Sequence, residues 1–145
     1  MFIDASAIVA IIGQEEAGSS LLRKIEQAEP PVYFSSTVVF EAVIALARKK
    51  KISIYGDHAP TPASLIEETQ DLVRSFLDQV DAVEVTLPAG LHKTALEAAR
   101  TYGRFVGHPA RLNFGDCFSY AAAKALKLPL LFVGDDFGKT DIKIA

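Results

Sequence analysis

Four carboxylates in this chain stand where acids are least expected. Asp4 follows the apolar Met1-Phe2-Ile3, and Asp135 follows Leu130-Leu131-Phe132-Val133-Gly134. Glu41 and Asp116 fall near the starts of stretches that are otherwise almost wholly apolar. Acidic side chains are seldom buried unless they are paired or bound to a metal. Four like charges in one place repel one another, and a divalent cation is the usual remedy. An all-oxygen ligand set favours Mg²⁺ or Mn²⁺ over zinc. Such a centre serves phosphoryl chemistry, in which the metal activates water and steadies charge on a leaving oxygen. Taken singly, each acid also has an ordinary explanation. Asp4 can simply start a helix by bonding nearby backbone N–H groups, and Glu41 and Asp116 suit the positive end of a helix dipole. The question is whether the fold brings them together.

The elements that would do so alternate along the chain. Met1 to Ile3 is expected to be a short buried strand, followed by a helix from Ala7 to Ile12 capped by Ser6. Leu21, Leu22 and Ile25 recur at helical spacing within Glu15 to Ala28, which Pro30-Pro31 ends. Val32 to Phe34 is a second strand. Ser35-Ser36-Thr37 opens a third helix, apolar on nearly every face, which the run Arg48-Lys49-Lys50-Lys51 is expected to close. Tyr55 to Pro62 is a loop, 62–80 an amphipathic helix, 82–87 an alternating strand and 89–102 another helix. The segment 103–112 is expected to be an irregular basic loop; with Arg100 just before it, it offers Arg104 and Arg111 as candidate phosphate contacts. A small-residue helix from Asp116 to Leu126, a strand 130–133 and an edge segment 139–142 complete the chain.

Strands that alternate with helices imply an α/β fold with a mainly parallel sheet covered on both faces. In such a sheet the carboxyl ends of strands and the starts of the following helices lie along one edge, where ligands bind. All four acids would then face one crevice. At 145 residues the chain is expected to form a single domain, 1–145, with one core. Its net charge of -3 gives no general attraction to nucleic acid, so any such contact must use a local basic patch. A single cysteine, Cys117, leaves no internal disulfide. No apolar run approaches the length of a membrane span and no signal peptide is evident, so the expected address is cytoplasmic, with no membrane contact.

The blocks Phe2-Ile3-Asp4-Ala5-Ser6-Ala7, Phe40-Glu41, Asn113-Phe114-Gly115-Asp116-Cys117-Phe118-Ser119-Tyr120 and Leu131-Phe132-Val133-Gly134-Asp135-Asp136-Phe137, with Thr140-Asp141 beyond, resemble the PIN-domain ribonucleases of the VapC toxin group. The resemblance runs in order over nearly the whole chain, and the block around Asp116 is its most specific part. It implies a three-layer α/β/α sandwich, a Mg²⁺- or Mn²⁺-dependent ribonuclease, an RNA substrate, a homodimer and a cognate antitoxin that blocks the site. It also implies hydrolysis by a metal-activated water with no covalent protein intermediate. Asp4, Glu41 and Asp116 match the family's core acids, with Asp4 and Asp116 as the metal ligands. Much of the wider family carries an aspartate where this chain has Gly134. Asp135 is the expected substitute, with Asp136 and Asp141 as alternatives, and Ser6 is expected to orient Asp4 or a bound water.

Two other readings compete. A phosphatase of the haloacid dehalogenase type also uses an acid after its first strand, but it needs a second aspartate two residues later, where this chain has Ser6. A catalytically silent module of the same fold, binding RNA or a protein partner, remains open because the fourth acid is displaced.

Overall fold

A computed structural model describes residues 1–145. Four two-residue strands, β1 (Phe2–Ile3), β2 (Tyr33–Phe34), β3 (Val83–Glu84) and β4 (Leu130–Leu131), form an entirely parallel sheet in the order β3-β2-β1-β4. Phe2, Ile3 and Leu130 are fully buried. Burial of such a side chain stabilises by about 1.5–3 kcal/mol, so β1 and β4 anchor the core. β1 is the first strand in sequence yet lies inside the sheet. The order therefore reverses between β1 and β4, and this reversal is the switch point at which α/β sheets open a crevice.

Six helices cover the sheet and make the three-layer α/β/α sandwich: α1 (Ala5–Ile12), α2 (Gly18–Gln27), α3 (Ser36–Tyr55), α4 (Ala63–Gln79), α5 (Leu91–Tyr102) and α6 (Phe114–Leu126). α1, α2, α3 and α4 pack on one another, α5 packs on α6, and the two groups meet where α3 touches α6. Val38, Ala42, Val43 and Leu46 of α3 and Ala121, Ala122 and Ala123 of α6 join one core cluster. The small side chains of α6 let it lie close to β1 and β4.

Several boundaries differ from the expected ones. Asp4, not Ser6, caps α1: its side chain accepts from the Ser6 N–H, and helical backbone begins at Ala5. α2 starts at Gly18 rather than Glu15, where a bond from the Gly18 N–H to the Glu15 carbonyl marks a turn first. α3 continues through the basic run to Tyr55, so 48–51 is helix interior and not a helix end. Each lysine there has a reason to stay helical. Lys49 pairs with Glu15 and Lys50 with Glu68, while Lys51 is buried and donates to the Asp57 carbonyl at 2.7 Å. The strand at 82–87 shrinks to two exposed residues because β3 is the sheet's edge. The segment 103–112 is more ordered than its composition implies. It holds a 3₁₀ turn (Arg104–Val106) and a parallel bridge between Gly103 and Leu112. The tail adds to the β4 edge through a bridge from Leu130 to Ile144. No helix is long and apolar enough to cross a membrane.

Candidate active site

Asp4 leaves the carboxyl end of β1 at the switch point and is 2 % exposed. Its Oδ2 accepts from the Ser6 N–H at 2.9 Å and from the Ser6 hydroxyl at 2.5 Å. Its Oδ1 is buried with no hydrogen-bond partner. The Ser6 hydroxyl also accepts from the Val133 N–H at 3.1 Å, just beyond β4. One hydroxyl thus fixes Asp4 and ties the ends of β1 and β4 together.

Asp116 enters from the first turn of α6. Asn113 and Asp116 form a reciprocal capping box: the Asn113 side chain accepts from the Asp116 N–H at 3.1 Å, and Asp116 Oδ2 accepts from the Asn113 N–H at 2.8 Å. Burial is the main influence raising the Asp116 carboxyl to about 6; the charges of Asp4 and Asp136 add to it, and the Asn113 bond and Arg104 oppose it.

Glu41 reaches the same place from α3. Burial first, then the charges of Asp4 and Asp116, push its carboxyl up to about 7. Its carboxyl group occupies the space that a Cβ on residue 115 would need. Gly115 is therefore a glycine for room, at the contact between α3 and α6. Asn113 and Gly115 were visible as parts of a motif, but their roles depend on which helix faces them.

Asp4, Glu41 and Asp116 come together as expected, each close enough to disfavour charge on another. They do not form a closed cage: no three acid, histidine or cysteine side chains make a complete metal-ligand set. Asp4 and Asp116 each commit one oxygen to a donor in their own turn and keep a second oxygen free of side-chain partners. The arrangement suits a hard cation on two grounds. An orphaned buried carboxylate oxygen is costly unless something positive meets it, and every available donor is oxygen.

Two of the three candidates for a fourth acid, Asp135 and Asp136, lie in the turn after β4. Gly134 has φ of 103°, a conformation that residues with a Cβ rarely adopt. An aspartate would be strained there. Asp136 is the acid of this turn whose charge acts on Asp116; Asp135 does not contribute. Asp141 lies elsewhere, accepting from the Tyr120 hydroxyl and from Lys124 Nζ, each at 2.6 Å. Of the basic candidates, Arg104 lines the crevice beside Glu41. Arg100 pairs with Glu97 and lines a different groove. Arg111 is exposed in the loop before α6.

A parallel α/β sandwich with carboxylates gathered at its switch point defines a class of candidate metal-dependent phosphoryl-transfer proteins. Comparison with known proteins is more particular. The PIN domain family model matches residues 1–143. A VapC ribonuclease of Rhizobium meliloti (strain 1021) is 42% identical over 141 residues, 97% of this chain and 98% of the relative. Ribonuclease VapC42 of Mycobacterium tuberculosis is 37% identical over 145 residues, 100% of this chain and 98% of the relative. Among solved structures, Mycobacterium tuberculosis VapC20, described as a sarcin-ricin loop cleaving toxin, superposes with a TM-score of 0.64 at 16% identity, covering 99% of this chain and 97% of that one. The chain belongs to the PIN-domain family, among its VapC ribonucleases.

Proposed function

We propose that the chain hydrolyses RNA phosphodiester bonds with Mg²⁺ or Mn²⁺ as cofactor, acting as the toxin of a toxin–antitoxin pair. The observation that carries this reading is the buried, unpartnered Oδ1 of Asp4 beside Glu41 and Asp116. Asp4 and Asp116 would hold the ion, and Glu41 would complete its surroundings directly or through water. Asp136 is the better candidate for the fourth acid, because its charge reaches Asp116. When bound, the metal supplies acidity to water and a positive charge against the phosphate. The chain's own residues do the rest. Ser6 holds Asp4 in its rotamer, the capping box holds Asp116, Gly115 leaves room for Glu41, and Arg104 offers a cation to an entering phosphate. An antitoxin that covers the crevice, self-association as a homodimer and a cytoplasmic address belong to the same reading and are supported by the family alone.

The test is cleavage of a mixed RNA preparation in EDTA, Mg²⁺ or Mn²⁺. Metal-dependent cleavage is expected, and it should vanish in a folded Asp116→Asn variant, whose amide oxygen can still accept from the Asn113 N–H. No cleavage with either metal would overturn the reading. Phosphate released from small esters would favour the phosphatase.

A further inference from the structure

Asp4 is not the only buried charge without a counter-charge. Lys51 of α3 is 5% exposed. Its neighbours Lys49 and Lys50 are paired with Glu15 and Glu68, and the remaining ion pairs of the protein involve neither Lys51 nor Arg48. Lys51 Nζ donates to the Asp57 carbonyl at 2.7 Å. That acceptor is neutral, and an ammonium group has three donors to satisfy. Lysine is almost never buried this deeply unless it is paired, and a buried cation with no anion beside it is costly.

The surroundings of Lys51 suit an anion. A pocket of about 310 Å³ lies between α3 and the segment that leads into α4. Arg48 and Lys51 line it together. They are one helical turn apart on α3, a spacing at which like charges oppose each other. Thr61 adds a hydroxyl to the same wall. It precedes Pro62, the N-cap of α4, so no side chain bonds to the free N–H groups at the positive end of that helix. The other walls are apolar, and no carboxylate lines the pocket.

We propose that this pocket binds a phosphate group, as free phosphate or as a monoester, held by Lys51 Nζ and the Arg48 guanidinium. Two cations and a hydroxyl match a dianionic oxyanion better than a monovalent carboxylate. Lysine meets such a group as a point charge and arginine as a planar fork. Arg48 is the one charged residue that also lines the crevice of Glu41, so a bound phosphate competes for the cation that the two places share. The site does not depend on the ribonuclease reading.

Calorimetric titration of the full chain with inorganic phosphate tests it. The buffer contains EDTA, so that no divalent ion can hold phosphate at the acids, and sodium chloride keeps the ionic strength constant. Saturable binding is expected, with a melting temperature that rises with phosphate concentration. In amide NMR spectra Lys51, Ala59 and Thr61 should shift, and Asn113 and Gly115 should not. Lys51→Met fills similar space without charge and is expected to weaken binding at least about tenfold. Arg48→Ala, at an exposed position, is expected to weaken it about threefold and decides the matter if Lys51→Met does not fold. Phenyl phosphate binding at least as tightly as phosphate would assign the pocket to a monoester, and much weaker binding would assign it to the free ion. No saturable binding, shifts confined to the crevice, or wild-type affinity in both variants would overturn the proposal. Every measurement is made without RNA. Failure here therefore leaves the ribonuclease reading standing, and a failure to cut RNA leaves this site standing.

Discussion

Phe114 stands between two grooves of similar size and opposite chemistry. On one side lies the crevice of Glu41, Arg48, Arg104 and Asn113, about 560 Å³ in volume. On the other lies a groove of about 450 Å³ between α5 and α6, walled mainly by Ala95, Leu96, Phe105, Val106 and Phe118. The second is the more hydrophobic of the two. Yet its charged neighbour Arg100 is already paired with Glu97, and its thiol, Cys117, is buried and pushed up to about 11, chiefly by burial. Neither group presents an unpaired charge to the groove. The first groove is lined by Glu41, whose carboxyl is pushed up to about 7 by burial and then by the charges of Asp4 and Asp116. Unresolved charge, not volume, distinguishes the place where chemistry is expected.

The contrast predicts a graded set of losses. Asp4→Asn should lower cleavage about a thousandfold, comparable to the loss of a principal charge-stabilising group, while circular dichroism stays native because the amide oxygen can still cap α1. Gly115→Ala should come next. The added methyl must displace the Glu41 carboxyl, and a misplacement of about 1 Å costs about a hundredfold. Its melting temperature should fall only slightly if the displaced group is the flexible end of Glu41. Ser6→Ala removes the hydroxyl that joins Asp4 to the Val133 N–H. An activity loss of about tenfold is expected, as for other groups that orient a ligand, with a weaker apparent affinity for Mn²⁺. Leu96→Ala, in the second groove, should leave cleavage within twofold of wild type, measured on the same RNA; a large loss there would erase the distinction between the grooves.

The smallest effect concerns pH and stability without metal. Glu41 and Asp116 have folded values of about 7 and 6 against ordinary values of 4.5 and 3.8. Protonation therefore favours the folded state. This contribution is fully present below the ordinary values and is lost as pH rises through the folded ones. In EDTA, thermal unfolding should shift to lower temperature between about pH 4 and pH 7. Glu41→Gln should recover roughly 1 kcal/mol at pH 8 after allowance for solvent screening, or about 3–5 °C. Divalent metal should reverse the sign by making the ionised form the favoured one.

How much was legible from sequence follows the range of the interactions involved. Asp4, Glu41 and Asp116 were legible because an acid beside an apolar run is a local anomaly, and the alternation of strands and helices said which edge they share. Which acid of the turn after β4 acts on Asp116 was not. That Asp136 does so depends on a turn in which Gly134 takes φ of 103°, which no spacing rule reveals. The basic run 48–51 was misjudged as a helix end because its partners, Glu15 and Glu68, lie on other helices. With α3 extended to Tyr55, Arg48 moves from a solvated terminus to the wall of the crevice. Gly115 had no visible reason to be glycine until α3 was seen to push Glu41 against it. Local chemistry was readable; contacts between helices distant in sequence were not.

The central claim is that Asp4 and Asp116 share one hard cation. Crystals soaked in Mn²⁺, with anomalous data collected near its absorption edge, test it most directly. The expected result is a strong peak at the carboxyl end of β1, about 2.1 Å from Asp4 Oδ1 and from an oxygen of Asp116, with Glu41 or a water in its shell. No peak at saturating Mn²⁺, or a peak bound only by acids outside this crevice, would contradict the account.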